Sequence, residues 1–173
     1  MPSRIEESPV GGFLVAMRYL VVSDSHGHLN LLWNWLKTCR ESWDAIIHAG
    51  DYYRDGEALS QQLGLPMFGA QGNNDRDARA PWETVWQDGT RRLGVIHGHQ
   101  WDADHRLQGL LEWAKMRGCE VVVFGHSHVD GVFQQEGRWL INPGAIWRPR
   151  QGRPPLVMTL EIPKVVWRLH PLN

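Results

Sequence analysis

Two histidines, His126 and His128, stand almost directly after a short apolar run at 121–124. Three consecutive valines followed by Phe124 are typical of a strand that is buried on both faces of a sheet. Gly125 ends that strand, so both imidazoles would project from its carboxyl edge, where open α/β sheets place their ligand sites. Neutral imidazoles are common ligands of divalent ions. Taken alone, however, such a pair is more typical of a hydrated loop than of a metal site.

The same order, a strand and then polar ligands, occurs at four positions upstream. The residues concerned are Asp24 and His26, Asp51, Asn73, and His97. Each has an ordinary explanation as a helix cap or turn residue, but ordinary turns do not explain ligands after five strands. Oxygen ligands combined with imidazoles suit Mn²⁺, Fe²⁺ or Zn²⁺. Because two ions about 3.5–4 Å apart can share one carboxylate, we predict a metal centre bridged by Asp51, the middle residue of the set.

The elements that must position these residues alternate between strands and helices in the first part of the chain. The pattern predicts strands over 18–22, 45–47, 66–68, 84–87, 91–96 and 121–124, with helices over 29–38, 57–63 and 102–117. Asp102 is the predicted N-cap of the last helix, and Gly118 is predicted to end it. Hairpins are predicted over 129–141 and 156–169. We therefore expect an α/β fold with mixed sheets packed face to face and helices outside.

Length and composition narrow the class of protein. At 173 residues we predict a flexible N-terminal extension, residues 1–16, and a single domain, residues 17–173. The net charge of -1 makes nucleic acid an improbable partner, and no apolar run is long enough to span a membrane. Two cysteines are too few for a disulfide framework, so we expect free thiols and a cytoplasmic location. The sequence is also compatible with a homo-oligomer.

Five ordered motifs carry a resemblance to a known family. They are Asp24-x-His26, Gly50-Asp51, Gly72-Asn73, His97-Gly98-His99 and Gly125-His126-x-His128. Together they resemble the calcineurin-like metallophosphoesterase superfamily. The short chain, with Asn142-Pro143-Gly144-Ala145 near its end, is most similar to the small bacterial and archaeal phosphodiesterases of the YfcE type.

The resemblance implies a four-layer α/β/β/α sandwich with a binuclear metal centre. One ion would be held by Asp24, His26, Asp51 and His128, and the other by Asp51, Asn73, His97 and His126. We expect Mn²⁺, with Fe, Zn or Ni as alternatives. The implied activity is hydrolysis of a small phosphodiester substrate through in-line attack by a metal-bridging hydroxide.

The chain departs from the family pattern at Asn74, where many members have a histidine that is thought to assist the leaving group. An amide cannot donate that proton. Either the substrate has a good leaving group, or another acid such as His99 acts, and a structural role for His99 is equally open. Asp75 is expected to orient a neighbouring catalytic group, and Arg76 either clamps a phosphate oxygen or is solvated. Trp147 and Trp101 are candidates to line a pocket.

Two other functions stay open at this point. One branch of the superfamily, the retromer subunit, uses the fold for protein contacts and has a degraded metal site, so the chain could be a scaffold. The seven intact ligand positions argue against that. Within enzymes, the alternative is a phosphomonoesterase or nucleotide phosphatase. Those relatives generally keep the histidine that Asn74 replaces.

Overall fold

The computed structural model describes residues 5–7, 13–76 and 79–173. Its helices are α1 (Asn30–Thr38), α2 (Tyr53–Leu63) and α3 (Arg106–Arg117). Its strands are β1 (Ile5–Glu7), β2 (Phe13–Val15), β3 (Met17–Val22), β4 (Ala45–His48), β5 (Met67–Gly69), β6 (Glu83–Asp88), β7 (Arg91–Ile96), β8 (Val121–Val123), β9 (Gly131–Gln135), β10 (Arg138–Asn142), β11 (Leu156–Ile162) and β12 (Val166–Pro171).

Ten of these strands form two mixed sheets of five strands each. The first sheet has the order β12-β11-β3-β4-β5, and the second has the order β6-β7-β8-β10-β9. In the first sheet β3, β4 and β5 are parallel, and in the second β7, β8 and β10 are parallel. The outer strands β12, β6 and β9 are each joined antiparallel to a neighbour. The parallel strands therefore lie in the interior of each sheet, except for β5, which is an edge strand of the first sheet.

Three apolar clusters define four layers. The largest lies between the sheets and includes Tyr19 and Val21 of β3 together with Val121 and Val123 of β8. A second cluster packs α1 and α2 on the outer face of the first sheet, and a third packs α3 on the outer face of the second. The helices thus cover both outer faces, which confirms the predicted α/β/β/α sandwich.

The alternation of side chains explains why the central strands are apolar throughout. In β3, Tyr19 and Val21 face the other sheet, while Leu20 and Val22 face the helices. A strand covered on both faces needs apolar residues at every position. The run of valines in β8 has the same cause, since Val122 packs against α3.

The parallel strands end at a common rim. In the first sheet Val22 of β3 pairs with His48 of β4, and His48 pairs with Gly69 of β5. In the second sheet Val95 of β7 pairs with Val123 of β8. The loops that follow these strand ends carry all the predicted metal ligands.

Two local predictions are wrong. Helix α2 begins at Tyr53, four residues before the predicted start, because the backbone N–H of Tyr53 is capped by the carboxylate of Asp75, which is distant in sequence. Asp102 is not the N-cap of α3, whose N-cap is His105. Instead Asp102 Oδ1 accepts the N–H groups of Asp104 and His105 and so stabilises a turn that precedes the helix. The predicted end at Gly118 is confirmed, with a φ of 68°.

The N-terminal prediction is largely untested, since residues 1–4 and 8–12 lie outside the described residues. Strand β1 pairs antiparallel with β2, apart from both five-stranded sheets. The extension at 1–16 and the single domain at 17–173 remain predictions. Both cysteines are free, as expected. In the described part of the chain, no helix has the length and hydropathy of a membrane span.

Replacement of Gly94 by alanine should destabilise the packing of α3 on the second sheet. A Cβ at this position in β7 would lie 2.6 Å from the Trp113 ring and 2.9 Å from Cys119 Sγ. Overpacking of this kind costs about 1–3 kcal/mol, so the melting temperature should fall by about 3–10 °C in a domain of this size. Thermal unfolding followed by circular dichroism measures the change. The exposed Thr90→Ala variant in the same hairpin is the control and should melt like the parent; equal melting of Gly94→Ala would contradict the packing described.

Candidate metal centre

Four of the predicted ligands converge at the rim of the sandwich. The side-chain ligand atoms of Asp24, His26, Asp51 and His128 all lie within 4.8 Å of one another. His128 Nε2 is 3.2 Å from Asp24 Oδ1, and His26 Nε2 is 3.3 Å from Asp51 Oδ2. Loops that follow β3, β4 and β8 therefore bring together two carboxylates and two imidazoles, a donor set that suits a divalent ion.

Asp51 lies between this group and a further histidine. Its Oδ2 faces His26, whereas its Oδ1 is 3.4 Å from His97 Nε2. His97 Nε2 is also 3.8 Å from Asp24 Oδ1, and the His97 and His126 rings are 5.2 Å apart. The two oxygens of Asp51 thus face imidazoles that follow different strands.

Among the described residues, several buried side-chain atoms of the predicted ligands make no hydrogen bond of good geometry, although the nearest carboxylate or imidazole atoms lie 3.2–3.4 Å away. Asp24 Oδ1, His26 Nε2 and His97 Nε2 are all in this state. Buried polar atoms are normally satisfied, and an unsatisfied one costs about 1–3 kcal/mol. Three such atoms directed at one place are explained if a cation binds there. The residues present therefore fit a divalent metal ion.

The neighbouring backbone fixes the orientation of two of the imidazoles. His97 Nδ1 lies 2.6 Å from the carbonyl oxygen of Ala49, and His128 Nδ1 lies 2.9 Å from that of Arg148. A carbonyl oxygen only accepts, so each Nδ1 donates a proton. In the neutral ring Nε2 then carries the lone pair and faces the site, as a metal ligand must.

The ligand loops require unusual backbone conformations. The φ angles of Asp24, His26, Asp51, His126 and His128 are all positive, between 48° and 66°. Residues other than glycine adopt this region at a cost of about 1–3 kcal/mol each, and such strain is concentrated at functional sites. Asp and His tolerate it better than most residues.

Close approach between the loops depends on glycines. A Cβ on Gly125 would lie 2.6 Å from Asp24 Oδ2, and a Cβ on Gly50 would lie 2.5 Å from His97 Nδ1. A Cβ on Gly72 would collide with the carboxylate and backbone nitrogen of Asp51. These glycines accompany the ligands in the sequence motifs because a side chain would separate the loops.

The carboxylates and imidazoles of this group stabilise each other's charged forms. Burial raises the pKa of Asp24, but its contact with His128 and the charge of His97 outweigh this effect and lower the pKa below its usual value. Burial also raises the pKa of Asp51, yet contacts with His26 and His97 lower it overall. Burial lowers the pKa of His97, whereas Asp51 and Asp24 raise it by more. Without a metal ion, the raised pKa values of His97 and His128 favour protonated rings beside these carboxylates, and a bound ion would displace those protons.

His126 differs from the other predicted ligands and lies outside the group of four whose ligand atoms converge. Burial and the positive charges of His97 and Arg106 lower the pKa of His126 to about 4. The ring is therefore neutral at physiological pH, and its lone pair is available to a metal ion.

The ligands open into a cleft of ≈ 480 Å³. It is lined by His26, Asp51, Asn73, Asn74, His126, His128, Trp147, Arg148, Pro149 and Arg150. The Trp147 ring stacks on His28 with 3.5 Å between the centroids. A site of this size has room for a small organic ligand next to the metal ligands.

Comparison with known proteins identifies the family. The model of the calcineurin-like phosphoesterase superfamily domain matches residues 17–164. The chain belongs to this superfamily. A probable metallophosphoesterase of Bacillus subtilis, YsnB, is 33% identical over 148 residues, which cover 84% of this chain and 85% of that protein.

Two solved structures share the fold of this chain. A conserved uncharacterized protein of Streptococcus pneumoniae, described as a predicted phosphoesterase, is 27% identical with a TM-score of 0.73, over 90% of this chain and 88% of that chain. A structure described as a novel archaeal phosphodiesterase is 23% identical, also with a TM-score of 0.73, over 90% of this chain and 100% of that chain. At 23% identity, the second match shows the fold alone.

Three further predicted site residues of this phosphoesterase domain, Asn73, Asn74 and Asp75, lie close to the predicted ligands. Asn73 lines the cleft beside Asp51. The backbone N–H of Asn74 donates to Asp51 Oδ1 at 3.0 Å, and the Asn74 side-chain amide donates to Oδ2 at 2.8 Å. The Asp75 carboxylate accepts the N–H groups of Tyr53 and Gly72, so it joins α2 to the ligand loop.

His99 and two other predicted residues lie apart from the cleft lining. The His99 ring is 5.5 Å from His97 and 6.2 Å from His126, and burial lowers its pKa. Trp101 packs in the apolar cluster under α3 rather than in the cleft, which corrects its proposed role. Arg76 is exposed and is not among the cleft-lining residues.

Asp55, which sequence reasoning missed, supports the first ligand loop. The Asp55 carboxylate accepts the Ser25 hydroxyl at 2.6 Å and the Gly27 N–H at 2.8 Å, on either side of His26. Ser25 also contacts the buried ring of His48 at 3.2 Å. Asp55 lies two residues before the helix predicted at 57–63, where a carboxylate resembles any solvated residue, so no local signal could have marked it.

Asn142 supports the loop of His126 and His128 in the same way. Its side-chain amide donates to the Gly125 carbonyl oxygen and the Ser127 hydroxyl, each at 3.0 Å. Its own oxygen accepts the Gly144 N–H at 2.9 Å. The Asn-Pro-Gly motif was noted from the sequence, and its contact with the histidine loop explains its position.

Asp51→Asn should remove bound metal while the fold is retained. Saturation with a divalent ion at about 100 times its Kd stabilises a protein by about 2.7 kcal/mol, which raises the melting temperature by about 5–10 °C here. The parent should show this rise with Mn²⁺, and Asp51→Asn should not. Elemental analysis and thermal unfolding measure the two effects. The exposed Asp104→Asn variant should behave like the parent; parent-like metal content in Asp51→Asn would count against the site.

Asp55→Ala should weaken metal binding, although Asp55 is not itself a predicted metal ligand. Loss of a residue that supports a ligand typically lowers metal affinity by about 10–100-fold. Titration with Mn²⁺ measures the Kd, and Asp55→Asn should give an intermediate value because its amide oxygen still accepts a hydrogen bond. Glu57→Ala, at an exposed position of the same helix, is the control. Equal affinities for Asp55→Ala and Glu57→Ala would show that the loop does not depend on Asp55.

Proposed function

We propose that the chain is a binuclear metal-dependent phosphodiesterase. The observation that carries the proposal is the group of buried atoms without a hydrogen bond among the described residues, Asp24 Oδ1, His26 Nε2 and His97 Nε2, next to the cleft that His26 and Asp51 line. When bound, divalent ions lower the pKa of a coordinated water and neutralise the charge of a phosphoryl group under in-line attack. Membership of the phosphoesterase superfamily supports hydrolysis of a phosphoester as the reaction.

Asp51 is the residue on which two ions would depend. Its two oxygens face His26 and His97, which belong to the two predicted ligand sets. We propose that Asp24, His26 and His128 complete one set, and that Asn73, His97 and His126 complete the other. Asn73 and His126 share the cleft wall with Asp51, which supports the second set.

Asn74 is bound to the carboxylate of Asp51 rather than free to act on a leaving group. It donates to both oxygens of Asp51, through its backbone N–H and its side-chain amide. Such hydrogen bonds orient the carboxylate and favour its charged form. We propose that Asn74 positions Asp51 and that the leaving group departs without a proton from this residue, which favours activated esters.

The metal and the location of the protein belong to the same proposal. Carboxylate and amide oxygens mixed with imidazoles suit Mn²⁺, with Fe, Zn or Ni as alternatives. The substrate would be a small phosphate ester. The two free thiols favour a reducing compartment, consistent with the cytoplasm.

Hydrolysis of chromogenic esters tests the proposal. Metal-depleted protein should be inactive, and Mn²⁺ should restore hydrolysis of bis(p-nitrophenyl) phosphate with a larger kcat/KM than that for p-nitrophenyl phosphate. Asp51→Asn should lose about 100- to 1,000-fold in kcat/KM, since metal ions supply several kcal/mol of transition-state stabilisation. Asp104→Asn should retain full activity.

The alternatives give different results in the same assay. A preference for the monoester would indicate a phosphomonoesterase or nucleotide phosphatase. Stoichiometric metal binding without turnover of either ester would indicate a scaffold for protein contacts.

A further inference from the structure

Two arginines in the cleft have no acidic partner. Arg148 and Arg150 line the cleft with the metal ligands, and both are exposed. Within the described residues no carboxylate pairs with either of them. The Arg148 guanidinium lies 5.7 Å from the Trp147 ring centroid. By contrast, nearby Arg153 is paired with Asp130.

Hydrogen bonds fix this segment relative to the metal ligands. The N–H of Trp147 donates to the Asp24 carbonyl at 3.0 Å, and the N–H of Arg150 donates to the His128 carbonyl at 3.0 Å. The Arg148 carbonyl in turn accepts from His128 Nδ1. Arg148 also has a positive φ of 49°, a conformation that persists only where the surroundings enforce it. The two guanidinium groups therefore start from fixed backbone positions beside the metal centre.

The charges of the cleft do not balance for a simple phosphodiester. The two carboxylates, Asp24 and Asp51, neutralise one divalent ion when the histidines are neutral. Arg148 and Arg150 then remain as two positive charges, and a second ion would add two more. A phosphodiester and a metal-bound hydroxide together carry two negative charges, fewer than the four positive charges that remain. The excess positive charge favours a ligand with more than one anionic group.

We propose that Arg148 and Arg150 bind a second phosphate of the substrate, separate from the phosphoryl group at the metal centre. Guanidinium forks match phosphate oxygens in geometry and charge. The cleft volume of ≈ 480 Å³ is large enough for a nucleotide-sized ligand. This inference rests on the proposed phosphoesterase function and narrows its substrate class to phosphoesters that carry a further phosphate.

Equilibrium binding of two matched nucleotides tests the inference. The Mn²⁺-loaded protein is titrated calorimetrically with 5′-AMP and with adenosine 3′,5′-bisphosphate, which differ by one phosphate. The bisphosphate should bind at least about tenfold more tightly, and added NaCl should reduce this ratio by screening. Arg148→Gln and Arg150→Gln should each lower the ratio several-fold, and the double variant should bring it close to one. Arg40→Gln, at an exposed site after α1, should leave the ratio unchanged.

A ratio near one in the parent, or a parent-like ratio in the double variant with an unchanged circular dichroism spectrum, overturns the inference. Turnover of bis(p-nitrophenyl) phosphate by the parent separates this failure from failure of the proposed function. Turnover with a ratio near one refutes only the second phosphate site. A high ratio that depends on both arginines, without any turnover, supports the phosphate site and refutes the hydrolase.

Discussion

Two buried carboxylates, Asp24 and Asp51, set the main constraint on this molecule. Both are almost fully removed from water, at 0% and 1% exposure. A buried charge is costly unless an opposite charge compensates it. Imidazoles surround the pair, and those of His97 and His128, whose pKa values are raised, can either carry protons or present lone pairs to a cation. The site therefore has two electrically acceptable states, and a metal ion exchanges one for the other with release of protons.

The remaining features of the rim follow from this requirement. Residues that must converge from β3, β4, β7 and β8 need loops that turn sharply as soon as each strand ends. Left-handed backbone at five ligand residues and glycines at the points of contact provide those turns. The strained backbone of these ligand loops lies at the rim, whereas the apolar packing between the two sheets stabilises the fold. Stability and ligand geometry are thus assigned to different parts of the chain.

Much of the fold and of the ligand group was readable from local patterns. The apolar runs of β3 and β8 identify strands covered on both faces, and each ligand follows its strand within a few residues. Asp55 and the start of α2 could not be predicted, because both depend on contacts with residues remote in sequence. Arg148 and Arg150 carry no local signal either. They lie between prolines in a loop, where an arginine is ordinarily solvated, and only the hydrogen bonds to His128 and Asp24 place them at the cleft.

The segment of Trp147 and Arg148 is joined to the ligand loops through the main chain as well as through side chains. The carbonyl of Arg148 holds the imidazole of His128 in its orientation. If this segment were exchanged with that of a relative to change which ligands the cleft binds, the orientation of His128, a predicted metal ligand, would change as well. The proposed phosphate contacts and the orientation of His128 depend on the same stretch of backbone, so directed evolution of this wall would have to select for both together.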